Sequence, residues 1–371
     1  MRKNRNFKKF NIALAALTSA VTVAGACAPA FAETTGAPEE SDKLSIVTTI
    51  FPEYDWVREI LGDQADSTDL TMLLDNGVDL HSYQPTADDI IKISECDLFL
   101  YVGGESDAWV EDALKESQNK NQKVINLLDV LKDTIKTEEA MPGMQAEEGH
   151  NHGYSHFADE DVEDRELSDW QSVYPADMTG EEIVEDMLEH EEKEYDEHVW
   201  LSLKNAEIIC QYIADTLSEI DPENKDTYET NVAAYIEELA GLDVHYQDTV
   251  DTASRKTVLF GDRFPFRYMV DDYGLSYYAA FAGCSAESEA SFETISFLAK
   301  KVDEMQLPCI LTIEGEQHKI AETIKANTQN QDQEILTMNS MQSVTSDDVQ
   351  NGANYFSIME ENLNVLKQAL N

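Results

Sequence analysis

The side chains that could do chemistry in this chain are imidazoles, carboxylates and thiols, and they are unevenly spread. Of eight histidines, four (His150, His152, His156 and His190) fall in about a ninth of the chain. The run Glu147-Glu148-Gly149-His150-Asn151-His152-Gly153-Tyr154-Ser155-His156, followed by Asp159-Glu160-Asp161, mixes oxygen and imidazole donors. Imidazole suits Zn2+, Cu2+ and Ni2+. The competing reading is a solvated acidic loop with incidental histidines; the concentration of half the histidines there favours metal capture.

Two further histidines sit where chain geometry tends to put ligands. His81 lies in Asp75-Asn76-Gly77-Val78-Asp79-Leu80-His81-Ser82-Tyr83-Gln84-Pro85-Thr86, a loop just after a strand end. His198 lies in Tyr195-Asp196-Glu197-His198-Val199-Trp200, where an acidic stretch gives way to a helix. Taken singly, each is more often a structural histidine. His245 falls on a helix, and His318 follows Glu316 at a helix start without a recognisable partner. The cysteines (Cys27, Cys96, Cys210, Cys284 and Cys309) form no CxxC and no disulfide framework. Cys284, in Ala282-Gly283-Cys284-Ser285, follows a strand and could reach a cleft, but reads first as a buried structural thiol.

These residues need a scaffold, and the hydrophobic periods supply one. Apolar runs at 44–50, 69–74, 97–102 and 123–126 read as strands, with helices over 51–61, 86–94 and 109–117 between them. The rhythm stops over 138–197, where 22 acids meet only Arg165 and Lys193, which reads as a mobile surface insertion. A helix over 199–217 ends at Asp221-Pro222, since proline disfavours helix in the residue before it. Tyr228, Val232, Tyr235, Ile236, Leu239, Leu242 and Tyr246 then form one stripe of a long helix over 223–250. Strands at 257–260, 276–281, 309–313 and 334–338 alternate with helices at 264–272, 291–305, up to 326, and 355–370. Alternation of this kind predicts an α/β fold of two lobes, each a parallel-type sheet flanked by helices, joined by one long linking helix. Ligands bind such sheets at the carboxyl ends of the strands, so the inter-lobe cleft is the expected site.

Charge narrows the partners. The 371 residues carry 74 Asp and Glu against 26 Lys and Arg, a net charge of −48. Phosphate backbones and anionic lipid heads are repelled, and cations are attracted. Five bases in the first ten residues precede an apolar run from Ile12, which reads as an export signal over 1–32 cleaved after Ala30-Phe31-Ala32. Ala24-Gly25-Ala26-Cys27 is a second processing reading, in which Cys27 becomes a lipid anchor.

The chain resembles the metal-binding receptors of bacterial zinc and manganese ABC importers, the cluster A-I solute-binding proteins. The likeness runs from Lys43 to the C-terminus. It rests on Asp79-Leu80-His81-Ser82-Tyr83-Gln84-Pro85-Thr86, Gly103-Gly104, the histidine-bearing acidic loop, Asp196-Glu197-His198-Val199-Trp200-Leu201, Tyr268, Tyr273-Gly274-Leu275 and Ile313-Glu314. Such a resemblance implies a metal gripped in the cleft by about four side chains, and a membrane permease and its ATPase subunit as partners of a monomeric, exported receptor. The first two ligand positions match His81 and His198. At the third and fourth stand Arg263, beside Asp262, and Asn339. Arginine offers no lone pair, so the expected set becomes His81, His198, Asp262 and Glu314, unless Arg263 pairs with Glu314 and leaves two histidines. Two imidazoles with carboxylates favour Zn2+ over Mn2+, which prefers more oxygen donors. The expected organisation is a signal over 1–32, an N-terminal lobe over 43–137 whose last helix is 198–221, the insertion at 138–197, the linking helix at 222–253 and a C-terminal lobe over 256–371. Other readings are a manganese receptor, a surface adhesin or metal buffer, and a secreted zinc hydrolase, for which no HExxH or comparable motif is present.

Overall fold

Four consecutive apolar residues, Leu98-Phe99-Leu100-Tyr101, show why the first sheet forms: a strand apolar on both faces must be covered on both faces. The computed structural model describes residues 43–145, 195–285, 289–315 and 318–371. In it, β1 (Ser45–Thr48), β2 (Asp69–Met72), β3 (Leu98–Tyr101) and β4 (Lys123–Asn126) make a parallel sheet of order β2-β1-β3-β4. A second parallel sheet has β5 (Thr257–Arg263), β6 (Ser276–Phe281), β7 (Cys309–Thr312) and β8 (Glu334–Thr337) in the order β6-β5-β7-β8. This is the two-lobed α/β fold that the strand–helix alternation predicts.

The long helix spans Lys225–Thr252 and buries Tyr228, Val232, Tyr235, Leu239, Leu242, Tyr246 and Val250, spaced three or four apart on one face. It packs on the helices Phe51–Leu61, Leu203–Ile220 and Tyr355–Ala369. One continuous apolar core runs through it, from Ile46 and Phe99 of the first lobe to Val258 and Leu311 of the second. Trp200 and Tyr355 tie this core together: the Trp200 indole donates to Ser340 O at 2.8 Å and the Tyr355 hydroxyl to Trp200 O at 2.7 Å.

Three boundaries differ from expectation for local reasons. Residues 199–201 form a 3-10 turn, and the α-helix begins at Leu203 because Ser202 is extended and caps it, its hydroxyl accepting Asn205 N–H at 3.1 Å. Strand β5 continues to Arg263, with a register shift between Phe260 and Arg263. Residues 138–145 and 195–197, read as insertion, pack on the fold: Gln145 N–H donates to Ala280 O at 2.9 Å, Asp196 N–H donates to Lys136 O at 2.9 Å, and Glu197 is buried. The export signal over 1–32, with Cys27, and the histidines His150, His152, His156 and His190 lie outside the described residues. Among the described residues, no helix is long and apolar enough to cross a membrane, and the four described cysteines are free.

The turn from β1 into the first helix is closed by a buried carboxylate. Glu53 Oε2 accepts from Thr49 N (2.8 Å), Thr49 Oγ1 (3.0 Å) and Ile50 N (3.2 Å), while Oε1 has no hydrogen-bond partner. Burial, and secondly the charge of Asp107, push the Glu53 carboxyl up to about 8. The folded chain therefore holds a proton that the unfolded chain sheds near the ordinary glutamate value. This contribution to stability is complete below about pH 4.5 and is lost as pH rises through about 8. Glu53→Gln, which mimics the protonated form, is expected to gain on the parent in thermal melts as pH is raised from 5 to 8.5. A melting-temperature difference that stays flat across that range would show that Glu53 does not titrate.

Candidate metal centre

His81 and Ser106 follow the carboxyl ends of β2 and β3, Arg263 closes β5 and Cys284 follows β6, so that loops from both sheets converge, and the segment 195–198 brings in His198. After β2, Asp79 caps a 3-10 turn, Leu80–Ser82, by accepting His81 N–H at 3.0 Å. His81 Nδ1 lies 2.7 Å from Ser106 Oγ and 3.6 Å from Glu197 Oε2, and Ser106 N–H donates to Glu197 Oε1 at 2.9 Å. Gly104, in the loop after β3, has φ of +83°, and a Cβ there would strike the Glu197 carboxylate at 2.3 Å. Glycine is thus the residue that lets Glu197 come in under the histidine.

His198 is fully buried. Its Nδ1 lies 2.9 Å from Asp196 Oδ1, which also accepts His198 N–H at 2.9 Å, and its ring packs 5.2 Å from that of Trp200. With both Nδ1 atoms held by oxygens, the Nε2 atoms turn toward each other and approach to 3.2 Å. Gln342, with its amide oriented to satisfy its neighbours, accepts from His198 Nε2 at 3.0 Å and donates to both Asp79 carboxylate oxygens at 3.1 Å. Two nitrogen lone pairs cannot face each other at this distance without a proton or a cation between them. Burial, and then the charge of His198, depress His81 to about 3. Burial is the largest single influence on His198 and opposes its charge, but Asp196, Glu197 and Glu138 together outweigh it and raise the ring above its ordinary value. The two shifts run in opposite directions, so His81 is the less basic ring of the pair.

The other expected ligands are placed differently. Among the described residues, His81, His198 and Cys284 are the one group of three or more His, Cys, Asp or Glu side chains whose ligand atoms all lie within 4.8 Å of one another. Asp262 and Glu314 do not join it. Asp262 accepts the Arg263 and Ile313 N–H groups, and the β5 register shift puts Arg263, not Asp262, into the cleft. Glu314 is consumed by Ser340 N–H and Oγ, each at 2.7 Å, and by Gln342 N–H at 3.3 Å. Arg263 does not pair with Glu314; its Nη2 donates to Asp79 Oδ2 at 2.7 Å and its Nη1 to Ser285 O at 3.4 Å. Asn339 Oδ1 accepts Met341 N–H at 2.7 Å and stays with its own loop. His245 and His318 lie outside the group as well. Sequence reasoning reads Cys284 first as a buried structural thiol; the structure brings it to the histidine pair, and the available signal was its place beside Gly283, three residues after strand β6.

That glycine is required by packing. A Cβ at Gly283 would meet Phe264 O at 2.9 Å and the His198 ring at 3.0 and 3.1 Å. Gly283→Ala is expected to cost about 1–3 kcal/mol in chemical denaturation, the usual range for overpacking. It should also shift the His198 ring resonances, because the ring is what must give way; unchanged resonances would place the strain elsewhere.

Two parallel sheets with donors converging between the carboxyl ends of their strands define a two-lobed binding protein for a small ligand. The chain belongs to the family described as zinc-uptake complex component A, periplasmic (ZnuA), whose profile matches residues 46–369. It is 30% identical over 365 residues to the zinc-binding lipoprotein AdcA of Streptococcus pneumoniae, covering 97% of this chain and 61% of that protein. It is 27% identical over 334 residues to the high-affinity zinc uptake system protein ZnuA of Bacillus subtilis, covering 90% of each. The crystal structure of the Zn(II)-bound ZnuA-like domain of S. pneumoniae AdcA superposes with a TM-score of 0.62 at 27% identity, over 88% of this chain and 99% of that one. The chain thus spans about three-fifths of the length of the AdcA protein it matches.

Proposed function

We propose that the protein is an exported Zn2+ receptor that captures the ion between its lobes and passes it to the permease and ATPase subunits of an ABC importer. The observation that carries this reading is the 3.2 Å approach of two imidazole Nε2 atoms whose Nδ1 sides are already held by Ser106 and Asp196. Oxygen partners on the far nitrogen fix the ring and leave Nε2 as the donor, the usual arrangement for a metal-bound histidine. In a tetrahedral zinc site with Zn–N near 2.05 Å, two nitrogens stand about 3.3 Å apart. A Zn2+ ion between the two Nε2 atoms would take the place of a proton there and accept a lone pair from each ring.

Zinc-binding relatives and a Zn(II)-bound neighbour support Zn2+ as cargo, and two imidazoles favour it over Mn2+. A receptor reading, in preference to a hydrolase, follows from family membership and from a buried histidine pair flanked by side chains already committed to structural hydrogen bonds. The chain charge of −48 and the four histidines of the acidic stretch support local gathering of cations ahead of capture.

His81→Ala and His198→Ala are each expected to lower Zn2+ affinity at least tenfold, about 1.4 kcal/mol, in competition titrations against a chromophoric chelator. Should both variants bind Zn2+ as tightly as the parent, the cleft is not the capture site. Mn2+ titrated against the same parent should bind more weakly than Zn2+; the reverse order would make manganese the cargo.

A further inference from the structure

We propose that the Cys284 sulfur is the third protein ligand of this site, so that the cargo is held by a His2Cys set rather than by nitrogen and oxygen alone. The inference rests on the metal-receptor reading above and deepens it by naming the donor that sets selectivity.

Geometry comes first. The Cys284 Sγ, His81 and His198 ligand atoms fall within one 4.8 Å group. With Zn–S near 2.3 Å and Zn–N near 2.05 Å, a tetrahedral site needs N···S separations of about 3.6 Å, which lie inside that limit. The loop that carries the thiol is fixed at three points. Cys284 N–H donates to Glu138 Oε1 at 3.0 Å, Gly283 lies against the His198 ring where no larger residue fits, and Ser285 O accepts from Arg263.

Elimination points the same way. Asp262, Glu314 and Asn339 are engaged by backbone and side-chain donors of their own loops, and Asp79 is neutralised by Arg263 and bonded by Gln342. Arg263 stands where the family resemblance expects a ligand, yet it bridges the loop of His81 to the loop of Cys284. It acts as a positioning residue for a different donor. The four described cysteines are free, so no disulfide competes for this sulfur.

The chemistry then discriminates between ions. Thiolate is soft, suits Zn2+ and disfavours Mn2+, whose preferred donors are oxygens. Binding forms one metal–sulfur bond and releases the thiol proton to solvent; no electron is transferred. A purely structural thiol, by contrast, would leave metal preference untouched.

The test uses the full chain, kept reduced, with Co2+ and Zn2+ as probes of the parent, Cys284→Ser, Cys284→Ala, His81→Ala and His198→Ala. The expected result is a sulfur-to-cobalt charge-transfer band in the near ultraviolet for the parent that is absent from Cys284→Ser. Zn2+ affinity should fall at least tenfold in both cysteine variants, and the Zn2+/Mn2+ affinity ratio should fall with it. Serine keeps the size and polarity of the side chain, and equal thermal melts of parent and Cys284→Ser keep a folding defect from imitating the result. A parent without the cobalt band, or a Cys284→Ser protein with unchanged affinity and selectivity, overturns sulfur ligation. In that event weakened binding by the two histidine variants would leave the receptor reading standing, whereas histidine variants that bind like the parent would remove both.

Discussion

The arrangement on which the site depends is the meeting of two imidazoles edge to edge, with Nε2 atoms 3.2 Å apart in a place that excludes water from one ring entirely. It is held by anchors on the opposite edges: Ser106 and Glu197 behind His81, Asp196 behind His198. Each anchor depends in turn on the fold. Glu197 can approach only because Gly104 has no side chain, and the His198 ring can lie where it does only because Gly283 has none. Burial then divides the protons unequally, with His81 depressed to about 3 and His198 raised.

Much of this scaffold was legible in the chain. Eight apolar runs bounded by turn residues mark the eight strands, and the tyrosine and leucine stripe from Tyr228 to Tyr246 marks the long helix, because burial imposes its period on sequence. His81 was legible as a candidate by its place after β2, and His198 by its place where the acidic stretch gives way to a helix. The identity of their companions was not. A strand sends alternate residues to opposite faces, and the register shift between Phe260 and Arg263 reverses which of Asp262 and Arg263 reaches the site. Nothing in residue order announces that shift. Nor does residue order show that Glu314 is spent on the backbone of 340–342, or that Cys284 swings back against His198.

The charge of the chain looks different from inside the site. A net −48 suggests that carboxylates should line the histidine pair directly, yet the nearby ones are mostly engaged elsewhere. Asp196 and Glu197 stand behind imidazoles, Glu138 supports a backbone N–H, and Asp79 is neutralised by Arg263. They orient the imidazoles and the Cys284 loop from one layer out.

Both sheets supply groups to the site: His81 and Ser106 follow strands β2 and β3 of the first, while Arg263 closes strand β5 and Cys284 follows strand β6 of the second. A large hinge movement is opposed, since one apolar core runs through the long helix into both sheets, and Trp200 and Tyr355 bond across it. The 282–285 loop, by contrast, is held against this core by bonds from Glu138 and Arg263 and by the face of His198.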